Sequence, residues 1–175
     1  MSQFEFVSVA ASLVMALAIG RLVYALPFVL NPRRFDWLHA ATAISLVLFS
    51  FQIWWRSWGY VNVESWTLLK MIVLILPNIF VYLSALFLVG ETPHKIRSWA
   101  KFLDASGRAM FGAFFATMLA VLLRNYYLDG APPGIPGIAA SLVSFAGLLW
   151  RNRAVWWVVI VLIDVSFISV ILREL

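Results

Sequence analysis

The chain alternates between long apolar runs and short polar segments. A helix needs about 20 mostly apolar residues to cross the hydrocarbon core of a bilayer. Six runs approach or reach that length, and they cover about 5–28, 38–59, 66–89, 108–128, 134–150 and 154–172. We therefore predict an all-α polytopic integral membrane protein, in which residues 1–175 form a single transmembrane domain with a bundle of six transmembrane helices.

Composition supports a membrane protein and leaves no room for a soluble domain. Of the 175 residues, 63% are hydrophobic and only 12% are charged, whereas soluble domains carry about 25% charged residues. The mean hydropathy is +0.93. The net charge is +5, but the basic residues lie mostly in short loops, so we expect no nucleic-acid partner. Cysteine is absent, which excludes disulfides and thiolate chemistry.

The distribution of Lys and Arg predicts the orientation. Short cytoplasmic loops carry an excess of these residues. The loops after the first, third and fifth runs hold eight, whereas the opposite side holds three (Arg33, Arg34, Lys95, Arg97, Lys101, Arg108, Arg151 and Arg153, against Arg56, Arg124 and Arg173). We expect the bacterial inner (plasma) membrane, with both termini on the outer side. Tryptophans near both boundaries, including Trp99 and Trp156, are expected to form aromatic belts.

The third loop is predicted to contain a short basic interfacial helix over about 93–103. Thr92 could cap it and Pro93 suits its first position. One face would be apolar (Ile96, Trp99, Ala100 and Leu103) and the other basic. Such a helix would bind anionic lipid at the cytoplasmic face. An alternative is docking of a cytoplasmic partner.

Asp164 is a carboxylate near the middle of the sixth run. Ionisable residues at that depth are costly and usually functional. Arg21 in the first run is the favoured partner for an ion pair, and Lys70 in the third is the second choice. Alternatives are a titrating or ligand-binding Asp164, or a neutral acid held by hydrogen bonds.

The third run carries a proline and an asparagine at its centre. Pro77 removes a backbone hydrogen bond, and Asn78 follows it. Broken helices at mid-membrane form ion and substrate sites in transporters. The alternative is a kink that neighbouring helices compensate.

An aromatic and basic cluster is expected near the outer boundary. A site for an amphipathic anion is one interpretation, and an ordinary aromatic belt with basic residues at the interface is the other. The cluster comprises Trp54, Trp55, Arg56, Trp58, Trp66 and Arg124.

Two functions fit these features. The first is a small transporter or channel that uses the intramembrane carboxylate. The second is a non-catalytic subunit or scaffold of a membrane protein complex. In either case we expect membrane lipids and a homo-oligomer or other membrane subunits as partners. We find no catalytic motif and therefore expect no enzyme activity, cofactor or metal. A weak similarity between 43–56 and 139–151 would suit an inverted repeat of three helices.

Overall fold

The computed structural model describes residues 3–63, 65–130, 132 and 134–174, with side chains through Ser166 and at Ile168. The side chain of Arg173 therefore lies outside the described residues. Six α-helices follow one another, and the described part of the chain contains no β-strand. They are α1 (Gln3–Val29), α2 (Trp37–Ser57), α3 (Leu68–Val89), α4 (Trp99–Asp129), α5 (Ile135–Leu149) and α6 (Arg153–Glu174). Single 3₁₀ turns form at Trp58–Tyr60 and Pro93–Lys95.

Four segments of the described chain are long and apolar enough to cross a membrane. They are Gln3–Val29, Trp37–Tyr60, Leu68–Lys95 and Trp99–Asp129. Helix α5 is a shorter apolar helix of 15 residues. The all-helical fold predicted from the apolar runs is therefore confirmed, together with a composition suited to a membrane.

Five of the six predicted runs agree with the helix bounds to within two residues, but α4 begins nine residues earlier than expected. The separate helix predicted over 93–103 is wrong. Pro93–Lys95 forms one turn, Ile96 is extended, and Thr92 makes no side-chain capping bond. Helix α4 starts only after Ser98, whose hydroxyl accepts a hydrogen bond from the Lys101 N–H. That cap satisfies a free donor of the first turn.

The helices form a closed ring in the order α1, α3, α4, α5, α6, α2. Helix α3 packs between α1 and α4, and α2 also contacts α3 and α4 across the ring. In an inverted repeat, α1, α2 and α3 would correspond to α4, α5 and α6. Helix α6 would then have to pack along α4 as α3 packs along α1. Instead, α6 packs mainly against α5 and α2. The packing therefore does not follow the repeat suggested by the sequence.

Glycines allow α4, α5 and α6 to approach closely. A Cβ atom on Gly107 would lie 2.5 Å from the Trp156 ring, and one on Gly147 would lie 2.7 Å from the Phe111 ring. The rings of Phe111 and Trp156 pack with centroids 5.6 Å apart. Trp156 is fully buried, and its Nε1 donates to the Gly147 carbonyl at 2.9 Å. One side chain from α6 thus joins three helices.

We expect Gly107→Ala to destabilise the protein by about 1–3 kcal/mol, because the added methyl group would overlap the buried Trp156 ring. Gly20→Ala is the matched control, since nothing lies within 4 Å of the added atom. Thermal unfolding in mild detergent, followed by circular dichroism, measures both variants. Equal melting temperatures for the two would contradict this account of the packing.

Candidate functional site

The loops at 30–36, 90–98 and 150–152 lie together, and we call this side of the bundle the basic-loop end. Helices α1, α3 and α5 all finish there. The last four carbonyls of a helix have no partner within the helix, and they carry partial negative charge. In lipid such groups need a donor from the protein.

Side chains from α1 and α2 cap the end of α3. The Arg21 Nη2 donates to the Gly90 carbonyl at 2.6 Å. The His39 Nε2 lies 2.8 Å from the Leu88 carbonyl. Because a carbonyl can only accept, the proton of a neutral His39 ring sits on Nε2. His39 is fully buried, so this bond fixes its tautomer.

Indole groups cap α1 and α5 in the same way. The Trp99 Nε1 donates to the Phe28 carbonyl at 2.8 Å, and the Trp156 Nε1 donates to the Gly147 carbonyl. The Trp99 ring also stacks on His39 with centroids 4.3 Å apart. Trp99 and Trp156 are 0% and 1% exposed. The expectation that they belong to an aromatic belt is wrong, because their N–H groups are needed inside the bundle.

An ion-pair network connects α6 to this end. Arg153 pairs with Asp36, which precedes α2, and its Nη1 lies 3.1 Å from Asp104 on α4. Asp36 also caps α2 by accepting from the His39 backbone N–H at 2.9 Å. Together with the capped carbonyls, these contacts close the basic-loop end.

The opposite side of the bundle, called the terminal end, is open. A cavity of about 280 Å³, the central cavity, lies between α2, α4, α5 and α6. A second cavity of about 390 Å³ adjoins it at its mouth and includes Tyr60 and Asp129. The two share Arg56, Leu122, Asn125 and Gly134. The wall of the central cavity is mostly apolar, with Phe49, Ile53, Met118, Val121, Ala140 and Ile163 among its residues.

Arg124 is a buried guanidinium on the wall of the central cavity. Its side chain is 1% exposed. Its Nη1 makes a long bond of 3.4 Å to the Ile53 carbonyl, and its Cζ lies 5.4 Å from the centre of the Tyr60 ring. Its Nε has no hydrogen-bond partner. Buried polar groups are nearly always paired, and the Arg124 Nε is one of five buried side-chain atoms without a partner in the described part of the chain.

Asp129, the acid close to Arg124, contacts Tyr60 instead of the guanidinium. The Tyr60 hydroxyl lies 3.1 Å from both the Asn125 Oδ1 and the Asp129 Oδ2. Within the described residues, no carboxylate oxygen lies within 4.0 Å of the Arg124 guanidinium. The central cavity therefore borders a buried positive charge that no acid among the described residues pairs directly.

Asp164 is partly buried and follows Ile163, which lines the central cavity. Its Oδ2 is 2.8 Å from the Ser45 Oγ, which is also 2.9 Å from the Ala41 carbonyl. A hydroxyl has a single proton to donate. Ser45 can make two ordinary hydrogen bonds here when Asp164 is protonated and donates to it. The contact fits a protonated Asp164 that donates to Ser45 and also a carboxylate that accepts from Ser45.

Three apolar side chains separate this pair from the central cavity. Ile163 lines both the cavity and a gap of about 10 Å³ beside Ser45. Phe49 also lines the cavity, and its ring packs against Phe114 with centroids 5.1 Å apart. These three side chains, Phe49, Phe114 and Ile163, form what we call the cavity floor.

The ion pairs expected for Asp164 are not formed among the described residues. Arg21 binds Gly90, as above, and the Lys70 Nζ donates to the Ser65 carbonyl at 2.9 Å. Helix α2 lies between α1 and α6 in the ring. Depth alone does not determine which helices are neighbours.

Pro77 and Asn78 lie away from the central cavity. Helix α3 continues through Pro77 without interruption, so the broken helix considered from the sequence is not present. Asn78 is buried, and its Nδ2 donates to the Ala11 carbonyl of α1 at 3.2 Å. This pair of residues contributes to packing between α1 and α3, as in the alternative of a compensated proline.

The expected aromatic and basic cluster divides into two groups. Arg56 and Arg124 line the central cavity. The tryptophans lie elsewhere: Trp54 donates to the Ser12 Oγ at 3.0 Å, Trp58 and Trp66 pack against Phe4, and Trp55 is exposed. Sequence analysis missed Ser45 and Tyr60, because a single serine or tyrosine in an apolar run carries no distinguishing signal.

No protein-family model, curated protein or solved structure matches this chain. Among the described residues, no group of three or more His, Asp or Glu side chains could hold a metal ion.

The role of Asp36 can be divided between its two contacts. Asp36→Asn should keep the cap on α2 but lose the ion pair, whereas Asp36→Ala should lose both. We expect Asp36→Ala to be less stable than Asp36→Asn by about 1 kcal/mol, the usual value of a cap. Thermal unfolding in detergent measures the difference.

A double-mutant cycle with Arg153→Gln isolates the ion pair. We expect a coupling free energy of about 1 kcal/mol between Asp36→Asn and Arg153→Gln, near the top of the range for surface pairs. Additive effects would show that the pair contributes nothing to closing this end.

Proposed function

We propose that all six helices cross the membrane, with the basic-loop end in the cytoplasm and both termini outside. Helices α4 and α5 run antiparallel: Arg108 donates to the Leu148 carbonyl at one end, and Gly137 packs against Leu122 at the other. Lys95 and Lys101 are exposed at the basic-loop end, where they would contact anionic headgroups. These features support a bacterial inner membrane location.

We propose further that the protein is a small transporter, specifically a carrier. The observation that carries this proposal is the difference between the two ends. The central cavity adjoins a second cavity at the terminal end and is bordered on its inner side by the cavity floor, while capped carbonyls and ion pairs join the helices at the basic-loop end. A carrier open to one side has this arrangement, whereas an open channel would need a continuous path.

Asp164 is proposed as the proton-coupling group. It follows Ile163 of the cavity floor in α6, and a protonated Asp164 can donate to Ser45. Ionisation would place a charge inside the membrane, which costs at least about 2.5 kcal/mol on insertion scales. Loss of the proton would therefore favour a rearrangement that brings water or a partner to Asp164. Movement of α6 against α2 would open the floor and the Arg153 network together.

A second candidate is a non-catalytic subunit or scaffold. The observation favouring it is the exposure of α1, where only 28% of the most apolar window is buried, against 44–50% in the other three candidate spans. The mass of the intact complex in mild detergent, with all components identified, tests this candidate. A different protein in stoichiometric amount would support the subunit role, and a homo-oligomer would support the carrier.

We predict that Asp164→Asn keeps the fold but abolishes proton-coupled transport, because Asn can bond to Ser45 but cannot release a proton. Liposomes containing the protein and a pH-sensitive dye would be challenged with organic anions, cations and neutral amphiphiles. At least one solute should move protons with the wild type. That signal should fall to the level of empty liposomes with the variant.

Glu91→Gln is the matched control. Glu91 is exposed at the basic-loop end, so this change removes an acidic charge away from Asp164 and should leave transport unchanged. Normal transport by Asp164→Asn would show that the proposed mechanism is wrong. A wild type that moves protons with no solute of any class would contradict the carrier itself.

A further inference from the structure

We propose that the central cavity binds an amphipathic organic anion, with its carboxylate or phosphate head at Arg124 and its apolar chain directed toward the cavity floor. The proposal deepens the carrier function by naming the class of solute, and its use in transport rests on that function. The binding site itself is argued from the cavity alone.

The charge of the cavity selects for an anion. Arg124 is buried, its Nε is unpartnered, and no acid of the described chain forms a salt bridge with it. Arg56 lines the same cavity. A guanidinium binds carboxylate and phosphate through paired N–H groups. A bound anion would therefore supply the partner that Arg124 lacks.

The polar groups around Arg124 lie toward the mouth. Asn125 and Gln52 line the central cavity beside the two arginines, and their amides can donate to further head-group oxygens. Asp129 belongs to the adjoining cavity and not to the wall of the central one. The acidic side chain is thus directed to Tyr60, and the central cavity keeps its positive character.

The rest of the wall selects for an apolar chain. Phe49, Met118, Val121 and Ile163 offer no hydrogen bonds, so a polar solute would lose its hydration there without replacement. The volume of about 280 Å³ is at the lower end of the range of about 300–1,000 Å³ typical of small-molecule sites. This size suits one short chain rather than a two-chain tail.

The same chemistry occurs in free fatty acids and in the headgroups of anionic lipids. Radiolabelled decanoate is a suitable probe, with protein in phosphatidylcholine nanodiscs and empty nanodiscs subtracted to remove partitioning. Decyl phosphate should compete with decanoate. Decanol and decyltrimethylammonium have the same chain without the negative charge, and they should compete at least about tenfold more weakly.

Arg124→Gln should weaken decanoate binding by about 10- to 100-fold, the effect of losing a charged hydrogen bond. Arg124→Lys should lose less affinity for decanoate, because it keeps the positive charge. Lys101→Gln, an exposed change at the basic-loop end, is the matched control and should bind normally. Ala140→Phe should abolish binding by filling the cavity while leaving Arg124 in place, and it provides an independent test if Arg124→Gln does not fold.

Normal decanoate binding by both Arg124→Gln and Ala140→Phe would overturn the proposal, as would equal competition by decanol. Nanodiscs with 20% phosphatidylglycerol distinguish the two sources. Loss of decanoate binding there would identify a lipid headgroup as the ligand, and retained binding would identify a free acid. Asp164-dependent transport without decanoate binding would support the carrier and contradict this binding site. Decanoate binding without transport would support the site and contradict the carrier.

Discussion

The structure depends on supplying donors to helix-end carbonyls that lipid cannot satisfy. Helices α1, α3 and α5 finish at the same side of the bundle, so their unpaired carbonyls and partial negative charges accumulate there. Arg21, His39, Trp99 and Trp156 each reach across to a neighbouring helix to serve one of these groups. Because every cap joins two helices, satisfying the backbone also fixes the packing at this end.

The terminal end differs from the basic-loop end in how its buried cation is held. There the buried cation Arg124 is held by a long bond to a carbonyl and by the face of the Tyr60 ring. An apolar ring attracts a cation only moderately. A buried charge with weak partners is available for a ligand, whereas one already paired with an acid would not be.

The apolar runs were sufficient to predict the helices because crossing a bilayer sets both their length and their composition. They could not predict lateral neighbours, since nearly every residue in a run is apolar whichever side it faces. Asp164 was therefore assigned to Arg21, although its partner is Ser45. Trp99 was predicted at the interface for a similar reason. An amphipathic ring near a helix end suits an aromatic belt, and it also suits a buried position where its N–H donates to a helix-end carbonyl.

The candidate site was less predictable than the fold. The sequence indicated Arg124 among several aromatic residues, and only the packing distinguished it from Arg residues that reach the interface. The cavity itself lies between α2, α4, α5 and α6. The relative position of four helices is not encoded in any local pattern.

The contact between Trp156 and the glycines of α4 and α5 has an evolutionary consequence. The ring occupies the space that a side chain at Gly107 would need, and its N–H serves the carbonyl of Gly147. Positions 107 and 156 should therefore change together. In a descendant sequence, a larger residue at position 107 should accompany a smaller one at position 156, and the end of α5 would then need a new donor.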